Sequence, residues 1–308
     1  MLTAHLLAGA LAGTGPLLVA GLRCVPSLRQ DDQGVLRRVA VASLLAMIVG
    51  VVLGFLSGGI LWGAADEAYR KAVLRFPPQT YTLLAAEWCF TLVLYGIYLT
   101  WWTRLAKRPL LHGAIALVAA TNLLYHFPTF MTVLGAVAGD PSLASEAEIT
   151  RPVFRRLLLT PDLFWKVTHF WSLSVLVAGV AVLWSATCSR HRTVAKAEAP
   201  RRDASCESAA VIAGGVAGLV GVMLLMVSGM ATLVQLPALQ QRALLGGDVN
   251  ATVAFVAGVM MAIGLGKLLL SAATGEASPR LVRWTVTLTV VAVAYMAWAA
   301  QQAQSPFE

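Results

Sequence analysis

Residues 110–138 read LLHGAIALVAATNLLYHFPTFMTVLGAVA, a stretch without one Asp, Glu, Lys or Arg. A run this long and this apolar crosses a ~30 Å hydrocarbon core as a helix. It carries His126 deep inside it, and a ring that titrates or ligates is costly in hydrocarbon unless it has a partner. His112 lies fourteen residues earlier. On a helix that spacing leaves the two rings about 40° apart around the axis and roughly 21 Å apart along it. The stretch predicts an intramembrane redox or metal site at His126.

The rest of the chain agrees with a membrane setting. Of its 308 residues, 58% are hydrophobic and only 12% charged, with a mean hydropathy of +0.74; an ordinary soluble domain has about 25% charged residues. The 23 Lys and Arg outnumber 15 Asp and Glu, but most lie in short connections between apolar spans. There they set topology and meet anionic lipid rather than nucleic acid. Cys24, Cys89, Cys188 and Cys206 form no CxxC pair and no CxxCH, which excludes covalent c-type haem and argues against a zinc ribbon.

Eight spans are expected at 2–22, 39–62, 81–102, 110–137, 162–187, 208–236, 250–271 and 281–301. Fifteen of the basic residues fall on one side, in the connections after the first, third, fifth and seventh spans. By the positive-inside rule both termini face outward, in an inner or plasma membrane. The first span lacks a basic leader, so it reads as a retained helix rather than a cleaved signal.

The fold class expected is all-α: a polytopic membrane protein of eight transmembrane helices arranged as two parallel four-helix repeats. His5 and Cys24 recur as His169 and Cys188 at an offset of 164, GVVLGFLSG at 50–58 recurs as GVMLLMVSG at 221–229 at 171, and Pro109 and Tyr125 recur as Pro279 and Tyr295 at 170. An even number of helices per repeat makes the halves parallel. Residues 1–138 form the first repeat, 139–161 an outer loop and 162–301 the second repeat, with the polar segment 188–208 within it as a solvated linker. Residues 63–79 contain helix formers and end at Pro77-Pro78, which predicts a short interfacial helix. Thr160-Pro161-Asp162 reads as an N-cap and first turn. Arg151, Arg155 and Arg156 in the outer loop fit lipid phosphate, a partner or haem propionates.

Depth selects the candidate site. His126, His169, His5 and Glu87, the one acid in the core of any span, all fall in the outer leaflet. Glu87 is the catalytic candidate, because a carboxylate at that depth is neutral or has a cation beside it; it fits accepting a proton from quinol, relaying protons, or ligating a metal with the histidines. His126 pairs with His5 or with His169 as metal or haem b ligands. Met296 aligns with His126 and forms, with His169, a second chemically allowed set. Gly50, Gly54 and Gly58, and Gly9 and Gly13, make small-residue stripes that admit a flat ring or close helix packing. His112, beside Lys107 and Arg108, reads as a solvated interfacial residue. No P-loop, HExxH or GxSxG motif is present.

At His126 and His169, and in TAHLLAGALAGTG near the start, the chain resembles membrane b-type cytochromes built on four-helix bundles and the copper-resistance D-type membrane bundles. The resemblance implies haem b as cofactor, electron transfer at the outer face, quinone as a reactant and a redox partner protein. Large cytochromes b carry a fourteen-residue histidine pair on each of two helices; here one helix has it. Against this stands a proton-coupled transporter or channel in which Glu87 and the histidines titrate, or an accessory scaffold without cofactor.

Overall fold

The structure is a computed structural model that describes the chain apart from residues 26, 27, 29–33, 65, 144, 145, 196–200 and 305–308, and apart from the side chains of 141, 189–195, 201–207 and 304. It is 89% helical, with no strands among the described residues. In chain order come α1 (Leu2–Leu22), α2 (Val35–Gly63), α3 (Glu67–Leu74), α4 (Pro78–Thr100), α5 (Trp102–Ala106) and α6 (Pro109–Gly139). These are followed by α7 (Arg151–Leu158), α8 (Pro161–Ala195), α9 (Arg201–Gln235), α10 (Ala238–Arg242), α11 (Val249–Ala273) and α12 (Pro279–Gln304). Eight of them, α1, α2, α4, α6, α8, α9, α11 and α12, are long and apolar enough to cross a membrane. The chain is an integral membrane protein of eight candidate spans.

Local chemistry sets the ends. Prolines open α4, α6, α8 and α12, where the missing N–H costs nothing and the fixed φ suits a first turn. Asp66 caps α3 by accepting from the Tyr69 amide at 2.9 Å, and Asp248 caps α11 by accepting from the Ala251 amide at 2.7 Å. A short helix, α3, does lie within 63–79, where an interfacial helix was expected. Helix α8 does begin at Pro161, but the Thr160 hydroxyl donates backward to the Leu157 carbonyl at 2.7 Å instead of capping it. Of the segment 188–208, expected as a solvated linker, α8 runs on to Ala195 and α9 begins at Arg201, while 196–200 lie outside the described residues.

The most extensive packing joins α8 to α9, α1 to α2 and α11 to α12; α1 also packs on α6 and α8, α9 on α11, and α4 on α6. The glycine stripes are spent on these contacts. A Cβ at Gly50 would stand 3.5 Å from the Ala8 Cβ, and one at Gly214 would stand 2.7 Å from the Leu183 amide nitrogen. Such small residues let helices approach where lipid supplies no hydrophobic drive.

Two internal prolines explain two long-range hydrogen bonds. Pro16 in α1 has no N–H to give the Ala12 carbonyl, and Pro128 in α6 leaves the Leu124 carbonyl without its helical donor. The Tyr95 hydroxyl, from α4, donates to the Ala12 carbonyl. The Trp171 indole, from α8, donates to the Leu124 carbonyl at 2.9 Å. Each orphaned acceptor is answered by an aromatic donor from a neighbouring helix, which fixes α4 on α1 and α8 on α6.

At one end of the bundle a cap covers α6. Ala72 and Phe76, Phe130 and Val133 of α6, Ile149, and Val153 and Leu157 of α7 share one buried cluster. The Ile149 amide donates to the Arg75 carbonyl at 2.7 Å, Arg75 donates to the Glu146 carbonyl at 2.7 Å, and Arg156 pairs with the Glu146 carboxylate at 2.6 Å. One of the three outer arginines is thus engaged within the cap. Just past α6, the amide and hydroxyl of Ser142 both donate to Asp140, holding its carboxyl below the usual carboxylate range.

Candidate functional site

Of the four polar groups expected at one depth, the structure brings two together. Glu87 on α4 and His126 on α6 face each other with Oε1 and Nε2 3.8 Å apart, and their side chains are 24% and 27% exposed. That distance is ion-pair range and beyond a direct hydrogen bond, which a small closure completes. The partial exposure leaves the pair at the surface of the helix bundle rather than sealed in its interior.

The contact is held from behind. The Asn122 amide on α6 donates to the Glu87 carbonyl at 2.8 Å and to the Thr91 hydroxyl at 2.7 Å, and the Thr91 hydroxyl donates to the same carbonyl at 2.9 Å. Thr91 is fully buried and Asn122 nearly so. This network ties α4 to α6 one turn from the pair and fixes the rotation that points Glu87 at His126. The Tyr125 ring stands edge-on to His126 at 5.1 Å between centroids.

The other candidates face other helices. His5 on α1 lies against α2, with Nδ1 2.8 Å from the Gly50 carbonyl. Its ring occupies the space at Gly54, where a Cβ would stand 3.0 Å from Cε1. His169 on α8 lies against α9, with Nδ1 3.2 Å from the Ser228 hydroxyl and its ring over Gly229. The Met296 sulfur packs into the space left by Gly258 on α11, 2.5 Å from where a Cβ would be. Among the described residues no three His, Cys, Asp or Glu side chains cluster as a metal set.

His112 corrects the sequence reading. It is 1% exposed rather than solvated. The Tyr98 ring stacks on it at 4.4 Å, the Trp102 ring stands edge-on at 5.5 Å, and the Arg23 guanidinium lies 4.3 Å over the Trp102 ring. The sequence suggested solvation because Lys107 and Arg108 precede it, but α5 folds Trp102 back over the ring. His112 Nε2 and Trp102 Nε1 are buried without a hydrogen-bond partner among the described residues.

Sequence reasoning passed over Thr91, Tyr95, Tyr98 and Trp102. Their signal was available: Glu87, Thr91, Tyr95, Tyr98 and Trp102 recur at spacings of four, four, three and four, one face of a continuous helical path. No protein-family model matches this chain, and no curated protein sequence matches it.

Proposed function

We propose that this protein moves protons within the membrane, with Glu87 and His126 as its acid–base pair, as a proton-coupled transporter or channel. The observation that carries the reading is the 3.8 Å approach of the carboxylate and imidazole on facing spans. An intramembrane carboxyl is costly and is kept where it titrates or pairs. The imidazolium of His126 gives its proton to the Glu87 carboxylate, leaving a neutral ring and a neutral acid, and the reverse transfer regenerates the ion pair. Both forms carry no net charge. A proton that enters gives imidazolium beside neutral acid, and one that leaves gives carboxylate beside neutral ring. Net movement therefore passes through a singly charged pair that reverts to the neutral one as the next proton is passed on.

The test is proton entry into liposomes containing the purified protein, driven by a potassium diffusion potential and read by an internal pH dye. Flux above protein-free vesicles, reduced roughly 10²-fold by Glu87→Gln, is expected for loss of a proton-transfer group. Wild-type flux no greater than that of empty vesicles overturns the reading.

Haem b electron transfer, with quinol as reductant, is a second reading that one observation favours. A carbonyl only accepts, so the His5 Nδ1 bonded to Gly50 carries the proton and Nε2 keeps its lone pair. Ligating histidines are oriented in this way by their outer partners. On this reading the protein expressed with haem supply shows a Soret band that His5→Ala removes, and the absence of that band rejects it.

A further inference from the structure

Among the described residues, Glu87 and Lys267 are the charged side chains that lie more than five positions inside an end of any of the eight spans. Glu87 has His126 beside it. Lys267 stands six residues before the end of α11 at Ala273, about 9 Å of helix rise, and its ammonium makes no ion pair or hydrogen bond among the described residues. Its helix turns it away from the bundle. Ala254, Gly258, Ala262, Leu265 and Leu269 form the buried stripe of α11. Lys267, nine residues beyond Gly258, points about 180° from that stripe, at an exposed position. A cation at that depth is costly unless something pairs with it. The lysine stem carries the ammonium toward the headgroups, so the partner is there.

The neighbouring helix says what the partner is. Met296 packs into the space at Gly258, and a Cβ at Gly264 would stand 4.0 Å from Leu288, which sets the antiparallel register of α11 on α12. One turn beyond the Gly264 contact, Lys267 on α11 comes level with Trp284 on α12, which is 57% exposed. Tryptophan favours the headgroup level of a bilayer. Arg280 and Arg283, both exposed, add to the positive field of this hairpin, whose one carboxylate is Glu276. Toward the middle of the span, Ile263, Met260 and Val256 continue the face of Lys267 at steps of four, three and four residues, all exposed and all apolar. Cations with an indole at one end and an apolar strip leading inward match a charged headgroup with an acyl chain.

We propose that this face of α11 and α12 holds an anionic phospholipid, with its phosphate on Lys267 and its acyl chain along Ile263, Met260 and Val256. Among the described residues the acid at this end of the bundle is Glu276, outside the span. A second copy of the chain therefore brings no carboxylate to the depth of Lys267. The site lies at the end of the bundle opposite the cap, and it stands independently of the reading of Glu87 and His126.

The test is native mass spectrometry of the purified protein titrated with phosphatidylglycerol, with phosphatidylcholine and with soluble glycerol 3-phosphate. The proteins compared are the wild type, Lys267→Leu and Lys267→Arg. Leucine suits a lipid-facing position, so the fold is kept. The wild type is expected to retain phosphatidylglycerol in preference to phosphatidylcholine. Lys267→Leu should weaken phosphatidylglycerol binding about fivefold, the worth of one lysine beside an anionic surface. Lys267→Arg should restore it, and phosphatidylcholine should bind all three proteins alike. Equal retention of the two lipids by the wild type, or unchanged phosphatidylglycerol binding in Lys267→Leu, overturns the site. Displacement of phosphatidylglycerol by an equal concentration of glycerol 3-phosphate overturns it in favour of free phosphate. A dimer that Lys267→Leu dissolves with no change in lipid binding overturns it in favour of a second copy.

Discussion

The contact of α4 with α6 and the contact of α11 with α12 are built from different chemistry. At the first, a carboxylate meets an imidazole at 3.8 Å; at the second, a methionine sulfur fills the space over a glycine. The second crossing satisfies packing with apolar atoms alone, which is the inexpensive solution in hydrocarbon. The first retains two ionisable groups where an apolar pair fits. The difference teaches where to look: ionisable groups are expensive at this depth, which makes the pair the site to test for function.

The comparison breaks most severely if charge at the pair is dispensable, so the largest expected effect is the roughly 10²-fold loss of flux in Glu87→Gln. The two helix pairs α8–α9 and α1–α2 supply a further contrast. A Cβ at Gly214 meets the Leu183 nitrogen at 2.7 Å and the Gly179 carbonyl oxygen at 2.9 Å, backbone that cannot step aside, whereas one at Gly50 meets nothing closer than 3.5 Å. Gly214→Ala should therefore destabilise by about 1–3 kcal/mol, and Gly50→Ala by clearly less, in thermal unfolding in detergent. The smallest effect is expected at the proline-freed carbonyls: Tyr95→Phe and Trp171→Phe each cost about 1 kcal/mol, the size of one interhelical hydrogen bond in a membrane protein. No loss in either would show that the Ala12 and Leu124 carbonyls find other donors.

The spans were legible because eight apolar runs bounded by prolines and basic clusters leave few alternatives. Expected and observed spans agree within a few residues, as at 110–137 against Pro109–Gly139, although α8 and α9 as helices run on beyond theirs. Depth was legible too, since rise per residue is fixed; it placed Glu87 and His126 at one level. Rotation was not. Which helix a side chain faces depends on how neighbours cross, and nothing local in the sequence says that His5 turns to α2, His169 to α9 and Met296 to Gly258. His112 was misread for a related reason: its adjacent charges are local, while the Trp102 and Tyr98 rings that bury it come from the preceding helices. The donors to the two proline-freed carbonyls were half visible. Pro16 and Pro128 announce an orphaned acceptor four residues back, but only the packing shows that Tyr95 and Trp171 supply the hydrogen.

The most direct test places the apolar solution of the second crossing into the first. The Glu87→Ala/His126→Met variant should unfold within a few degrees of the wild-type protein, as expected when an unneeded polar pair is replaced by packing of similar volume, and should show proton flux no greater than empty liposomes. A variant that loses its thermal stability while its surviving folded fraction conducts protons at the wild-type rate would contradict the account, because the pair would then be holding the bundle together rather than moving protons.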